Sequence, residues 1–257
     1  QIQTKFRDEP RPRGGLIRLR EFTMKDAYSF DPDWESLDDS YRAAYQAYER
    51  IFRRVGVPAI PVAADSGAIG GKDSEEFIFL SDIGEDEILL CPACGYAANA
   101  EKADFVRPPA IASEPAPLEK VHTPGIKTIA ELADFLHIDR RQTCKAVFYN
   151  ADGAPVLVAI RGDLEVNEVK LKNALKAVNL DPLDDAHVKA AGLVAGSASA
   201  VGLTGVRVVA DPSAVEAPNL VAGANEPDHH YRNANFGRDW TADLVVDIAL
   251  ARAGDGC

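Results

Sequence analysis

Two strand-like runs joined by a proline- and glycine-rich turn open the chain, and they set the first constraint on its fold. Gln1–Asp8 alternates apolar and polar residues, with Ile2 and Phe6 on one side, and Ile17–Met24 resumes the alternation through Leu19 and Phe22. Pro10, Pro12, Gly14 and Gly15 lie between them. Proline cannot donate to a strand ladder and glycine accepts positive φ, so the chain reverses here in a long antiparallel hairpin with a charged tip. Arg7, Glu9, Arg11, Arg13, Arg18, Arg20 and Glu21 sit on or beside it. Arginines held on a rigid ribbon suit bidentate capture of phosphate oxygens. A solvated hairpin with ordinary surface ion pairs shows the same pattern.

Ser36–Val55 carries Leu37, Tyr41, Ala44, Tyr45, Tyr48, Ile51, Phe52 and Val55 at helical spacing. This predicts a helix capped by Ser36 or Asp38, closed by Gly56, with its aromatic stripe in a core. Ala59–Ala64 and Glu76–Leu80 read as strands on either side of a glycine-rich turn, Asp65–Lys72. Hairpin, helix and two strands suggest an antiparallel sheet with helices on one face. The proline- and alanine-rich stretch Val106–Pro117 reads as a linker. The expected division is therefore 1–112, then 118–252, with 253–257 returning toward the first domain.

Beyond Leu118 helical and strand patterns alternate. Thr128–Leu136, Asn167–Ala177 and Asp184–Ala191 read as helices. Lys145–Tyr149 and Val156–Arg161 form a predicted hairpin through Asn150, Asp152 and Gly153, and Val206–Ala210, Leu220–Ala224 and Asp243–Ile248 are further strands. The second domain is expected to be α/β.

Net charge is −12 with a pI near 4.9, which excludes a broadly basic nucleic-acid-binding surface. Any RNA contact then uses local basic patches. No apolar run reaches membrane-spanning length and the first residues do not read as a signal peptide, so no membrane partner and a cytoplasmic location are expected. Four cysteines in 257 residues do not make a disulfide scaffold. Cys91-Pro-Ala-Cys94-Gly has the spacing of half a zinc knuckle. Cys257 reads as the first cysteine of a second pair, and Cys144 as a small buried hydrophobe.

The words of the opening hairpin narrow this further. F-R-D-E, a loop, then R-L-R-E-F-T-M-K-D-A-Y-S-F resembles motif 2 of class II aminoacyl-tRNA synthetases, of the bacterial prolyl type. The resemblance implies that Arg7 contacts the α-phosphate of ATP, that Glu9 lies on the adenine side and that Phe22 stacks on adenine, with Mg2+ accompanying the nucleotide. D-S-G-A-I-G-G-K-D-S-E-E-F resembles the family's proline-pocket segment, which implies proline contacts at Glu76 and Phe77, while Glu75 stands where histidine is common. The family also carries CxxC pairs flanking an inserted domain, which implies a structural Zn2+ held by Cys91, Cys94 and Cys257.

Residues Leu118 to about Arg252 resemble that inserted editing domain, a deacylase of the YbaK-like type. Thr123 lies in H-T-P-G-I-K-T, Lys145 in T-C-K-A-V and Asp211 after the strand Val206–Ala210. His230, rather than His229, keeps register in G-A-N-E-P-D-H-H-Y-R-N-A-N-F-G-R-D. The resemblance implies that Thr123, Lys145, Asp211 and His230 form the hydrolytic site. Lys145 would hold a phosphate of the tRNA terminus; His230 and Asp211 would position the α-amino group of alanine and the attacking water. In G-S-A-S-A-V-G-L, Ala200 replaces the proline of a loop that gates the pocket.

The expected fold is thus α+β: part of a class II antiparallel-sheet catalytic core plus an inserted α/β editing domain. The implied function is ATP-dependent activation of proline and its attachment to proline tRNA, with hydrolysis of mischarged alanyl-tRNA. The chain reads as an internal fragment running from motif 2 through the editing domain, expected to lack synthesis by itself and to belong to a homodimer when full-length. A non-catalytic RNA- or protein-binding module derived from a synthetase core remains the alternative.

Overall fold

The computed structural model describes residues 1–67, 70–71, 73–183 and 196–257; the helix expected over Asp184–Ala191 lies outside them. The chain divides into two compact units, Gln1–Ile60 and Pro61–Cys257. In the first, β1 (Ile2–Phe6) and β2 (Glu21–Lys25) pair antiparallel, with Ile2 opposite Lys25 and Phe6 opposite Glu21. Phe22 falls opposite Lys5, so it shares a face with Lys5 and not with Phe6. The ladder reappears at the tip, where Arg13 bridges Arg18 around Gly14 and Gly15, both at positive φ.

Helix α1 spans Trp34–Val55. It starts earlier than the capping candidates Ser36 and Asp38, because Asp33 takes that role and accepts from the Ser36 N–H at 2.8 Å. Gly56, at φ 76°, closes it by donating back to Arg53. The stripe expected in a core is not one here: no residue of α1 is buried. A two-stranded ribbon and one helix offer too little surface to cover a helical face. Within the unit the stripe is used locally. Tyr48 stacks on Phe52, and the Lys25 ammonium lies 4.3 Å from the centre of the Tyr48 ring.

A four-stranded sheet in the order β4-β3-β6-β5 is built from β3 (Ala59–Ala63), β4 (Glu75–Phe79), β5 (Ile88–Leu90) and β6 (Ala97–Asn99). Strand β7 (Glu119–His122) and helix α2 (Ile129–Leu136) follow. Thr128 and Glu131 form a reciprocal capping box at the start of α2. Strands β8 (Cys144–Ala151) and β9 (Ala154–Arg161) make the expected hairpin, turning through Asp152 and Gly153 at positive φ. They are followed by α3 (Glu168–Leu175), β10 (Leu180–Pro182), β11 (Arg207–Ala210), α4 (Pro212–Glu216), β12 (Leu220–Gly223), β13 (His229–Ala234) and β14 (Leu244–Val245).

These form a five-stranded sheet, β10-β8-β9-β11-β14, and a three-stranded one, β12-β13-β7. β11 runs parallel to both β9 and β14, so β9 is covered on both faces, and its near-continuous apolar run reflects that. Leu157 and Ala159 pack one way with Leu220, Ala222 and Trp240; Val156 and Val158 pack the other way with Leu171 and Ile248. The two sheets meet where Thr143 bridges Val221. Strands β7 and β13 were not legible as strands, because E-K-V-H and H-H-Y-R-N-A carry too few apolar residues for the alternation to show.

Gly162, just past β9, sits under the start of the 3₁₀ turn Arg140–Gln142. A Cβ there would lie 1.9 Å from Thr143 Oγ1 and 2.9 Å from Ile129 Cγ2. Thr143 is fully buried and has no room to move aside. Gly162→Ala should therefore lower stability by about 1–3 kcal/mol, read as a shifted urea midpoint; an unchanged midpoint would contradict this packing.

Candidate active site

A cavity of about 570 Å³ opens along one edge of β8. β10 pairs only with Tyr149–Ala151, and the Leu183 N–H reaches the Phe148 carbonyl at 2.9 Å. Cys144–Val147 therefore face the cavity side without a described strand beside them. The opposite wall brings Gly196, Ala198, Gly223 and His230, and the rim brings Lys127, Thr128, Arg140 and Glu165.

Lys145 and His230, singled out separately in sequence, line this same cavity. Lys145 sits on β8 opposite Ile160, and its Nζ lies 2.7 Å from Glu165 Oε1. His230 is held on the central strand of its sheet, between Val121 and Gly223. Its Nδ1 lies 2.6 Å from the hydroxyl of Thr123, which is fully buried. The bond fixes the ring orientation and leaves Nε2 for a ligand. Burial holds the His230 pKa below the ordinary histidine range, and the neighbouring His229 pushes the same way. His230 is thus a neutral imidazole near pH 7.

The floor of the cavity exists because two backbones nearly touch. A Cβ on Gly223 would lie 2.3 Å from the Ser197 carbonyl carbon. Asn225, at φ 55°, clamps the same loop: its N–H donates to Ser197 O, its Oδ1 accepts from Ser199 N–H and its Nδ2 donates to Val201 O. Ser199 Oγ donates to Gly223 O at 2.6 Å. Ala200 packs against the main core. The loop is held by side-chain hydrogen bonds.

Asp211 is placed elsewhere. It is fully buried, caps α4 by accepting from Ser213 N–H at 2.9 Å, and accepts from Ile248 N–H at 3.1 Å and from Arg107 Nη2 at 3.2 Å. Arg107 also binds Asp247, and Lys170 joins Asp247 to Asp104 at 2.9 Å each. Asp211 does not line the cavity. Its carboxylate ties the outgoing segment at Arg107 to the returning segment at Ile248.

The returning segment continues to Gly256, which bridges Val106, and so brings Cys257 beside the knuckle. Cys91 and Cys257 Sγ are 3.2 Å apart, and Cys94 and Cys257 Sγ 3.5 Å apart. The Gly95 N–H donates to Cys91 O and the Cys91 N–H to Tyr96 O. Three thiolates around a tetrahedral zinc, with bonds of about 2.3 Å, stand about 3.8 Å apart, so the cluster fits such an ion with little movement. Among the described residues no fourth His, Cys, Asp or Glu joins it. Shared hydrogen bonding, chiefly with Cys257, lowers Cys91 to about 7, while Cys257 is raised to about 11 by the same partners. Cys144, at the cavity edge, is pushed up to about 12 by burial, which makes it inert as a nucleophile.

On the hairpin, the Arg7 guanidinium lies 5.1 Å from the centre of the Phe22 ring. Glu9 accepts from Arg11 N–H and pairs with Arg18 at 3.4 Å, while its carbonyl accepts from Arg20 Nε at 2.8 Å. Glu76 is exposed and Phe77 half-buried on β4. Sequence reasoning missed Glu165 and Arg107; Asn225 lies in the motif it matched but was given no role. Glu165 lies in a polar turn between β9 and α3, where only its ion pair with Lys145 distinguishes it.

The titration of His230 is directly testable. Its folded pKa lies below the unfolded value of about 6.5, so the unfolded chain binds this proton first. The associated stability is complete above about pH 6.5 and declines as pH falls through the folded pKa. NMR should place the His230 midpoint below 6.5; a midpoint at or above that value would remove the argument. Asp211→Ala should cost about 3 kcal/mol in urea unfolding, since it strips a helix cap and leaves Arg107 short of a partner. A loss under about 1 kcal/mol would show that the network carries little.

Residues 123–239 match the model of the aminoacyl-tRNA editing domain. All 257 residues align with the proline–tRNA ligase of Dehalococcoides mccartyi at 56% identity. The corresponding enzymes of Salinispora tropica and a Thermoanaerobacter species align with the whole chain at 48%. The chain spans 45% of the length of the first two relatives and 46% of the third.

Proposed function

Over its whole length the chain is a homologue of bacterial proline–tRNA ligases with an aminoacyl-tRNA editing domain inside it, and on that premise we propose that the cavity around Lys145 and His230 hydrolyses alanyl-tRNA. The observation that carries this reading is the convergence of Lys145 with the Thr123–His230 pair on one cavity. Water adds to the ester carbonyl, the bond to the ribose oxygen breaks, and alanine and a free tRNA hydroxyl leave. Lys145, with Lys127 and Arg140 on the rim, gives the phosphates of the tRNA terminus a cationic seat. His230 Nε2 orients the ester or the water as a neutral hydrogen-bonding group. No described cavity group pairs a strong nucleophile with a base, and the raised Cys144 thiol does not serve as one, so direct attack by water is favoured over an acyl-enzyme.

Ala146, Ala198 and Gly223 give the cavity small walls suited to a methyl side chain. A synthetic site that rejects alanine only by lost apolar contact discriminates by roughly 1–3 kcal/mol, so a second, hydrolytic site adds what the first lacks. In the larger protein, Arg7, Glu9 and Phe22 serve ATP with Mg2+, and Glu76 and Phe77 serve proline. Proline tRNA is the nucleic-acid partner, the enzyme is a homodimer, and it works in the cytoplasm. Cys91, Cys94 and Cys257 would hold a Zn2+ whose part is structural, tying the returning segment to the knuckle.

The test is release of alanine from alanyl-tRNA by this chain. Lys145→Ala should reduce the rate by at least about 100-fold, as loss of a charge-assisted phosphate contact and the site's positioning implies, with the unfolding transition unchanged. A Lys145→Ala protein as active as the wild type would refute the assignment.

A further inference from the structure

The aminoacyl ester brings two charges to the cavity, phosphate on the nucleotide side and an α-ammonium on the amino acid. The rim answers the phosphate three times over, with Lys127, Arg140 and Lys145. Among the described residues lining the cavity, Glu165 is the one carboxylate, and His230 is neutral. We infer that Glu165 receives the α-ammonium of the aminoacyl group and makes the site select for substrates with a free amine. This inference rests on the deacylase reading above.

Geometry supports the assignment. Glu165 Oε1 lies 2.7 Å from Lys145 Nζ, and the Glu165 side chain is 46% exposed against 16% for Lys145. The carboxylate therefore stands on the open side of the ion pair. Its two oxygens offer about four acceptor sites, so one contact with Lys145 leaves room for an ammonium. Its backbone is anchored: the Glu165 carbonyl accepts from Leu250 N–H at 2.9 Å, which holds the turn between β9 and α3. The neighbouring acids are occupied. Asp163 pairs with Arg161 at 2.6 Å, and Asp211 is enclosed by its own partners away from the cavity. A lysine–glutamate pair presented side by side thus matches, in sign and order, the phosphate and ammonium of one aminoacyl-nucleotide end.

The consequence is selectivity against N-blocked esters. An N-acetylated aminoacyl group has no charge for Glu165 to pair with and adds an acyl group beside an ion pair. Rates of hydrolysis should be compared for alanyl-tRNA and N-acetylalanyl-tRNA with the wild type, E165Q and E165D. The wild type should prefer alanyl-tRNA, and E165Q should lose most of that preference. Loss of a charge-assisted contact corresponds to roughly a 10- to 100-fold rise in KM for alanyl-tRNA, with the N-acetyl substrate affected much less. E165D, which keeps the charge, should recover part of the preference. If E165Q slows both substrates equally, Glu165 only props Lys145 and the inference falls. If E165Q keeps the wild-type preference, it falls as well. Wild-type protein that hydrolyses neither substrate overturns the deacylase reading and this inference with it.

Discussion

The second unit depends on a buried carboxylate. Asp211 binds a helix start, the returning backbone at Ile248 and the guanidinium of Arg107 at once. Burying a carboxylate is costly unless it is hydrogen-bonded, and here three donors reach it. The arrangement works only if the chain enters at Arg107 and returns at Asp247 side by side, so one residue sets where the α/β portion begins and ends. Burial pushes Asp247 up, but Lys170 and the Ala249 N–H outweigh it and hold the carboxyl low. Asp247 thus stays ionised in the neutral range. The Val106–Gly256 bridge and the meeting of Cys257 with Cys91 and Cys94 follow from that closure.

The cavity rests on a second constraint, the close approach of backbones. Gly223 faces His230 across the β12–β13 ladder, and its missing Cβ admits the Ser197–Ser199 loop. Gly162 does the same beneath Thr143. A cavity walled by glycine, alanine and main chain has little side-chain freedom, which suits a site that must measure a small substituent. Asn225 makes three hydrogen bonds to that loop and holds it in place.

What could be read from the sequence divides along physical lines. The hairpin, the long helix and β8–β9 were legible because period-2 or period-3.6 patterns and turn residues act locally. Lys145, His230 and Thr123 were found by resemblance, and the structure brings them together. β7 and β13 were invisible because their residues are mostly polar, and β7 pairs with a strand far away in sequence. Asp211 was noticed, but its three donors come from positions 107, 213 and 248, and no local pattern reveals such a set. Glu165 escaped for the opposite reason: an acidic residue in a turn looks like any surface group until Lys145 is folded against it. The stripe on α1 looked like core because amphipathicity reports what a helix is able to bury, not what lies within its own unit to cover it.

Net charge and local charge must be separated to understand how an acidic chain meets a polyanion. With a net charge of −12, the molecule repels RNA at long range. At physiological salt, however, exposed charges are screened beyond about 8 Å. The proposed phosphate seat, lined by Lys127, Arg140 and Lys145, acts at short range, where distant acidic groups are screened. On the proposed deacylase reading, recognition belongs to the final nucleotides entering the cavity. The surrounding negative surface disfavours nonspecific adsorption of RNA, so under that reading selectivity falls to an end that fits the cavity.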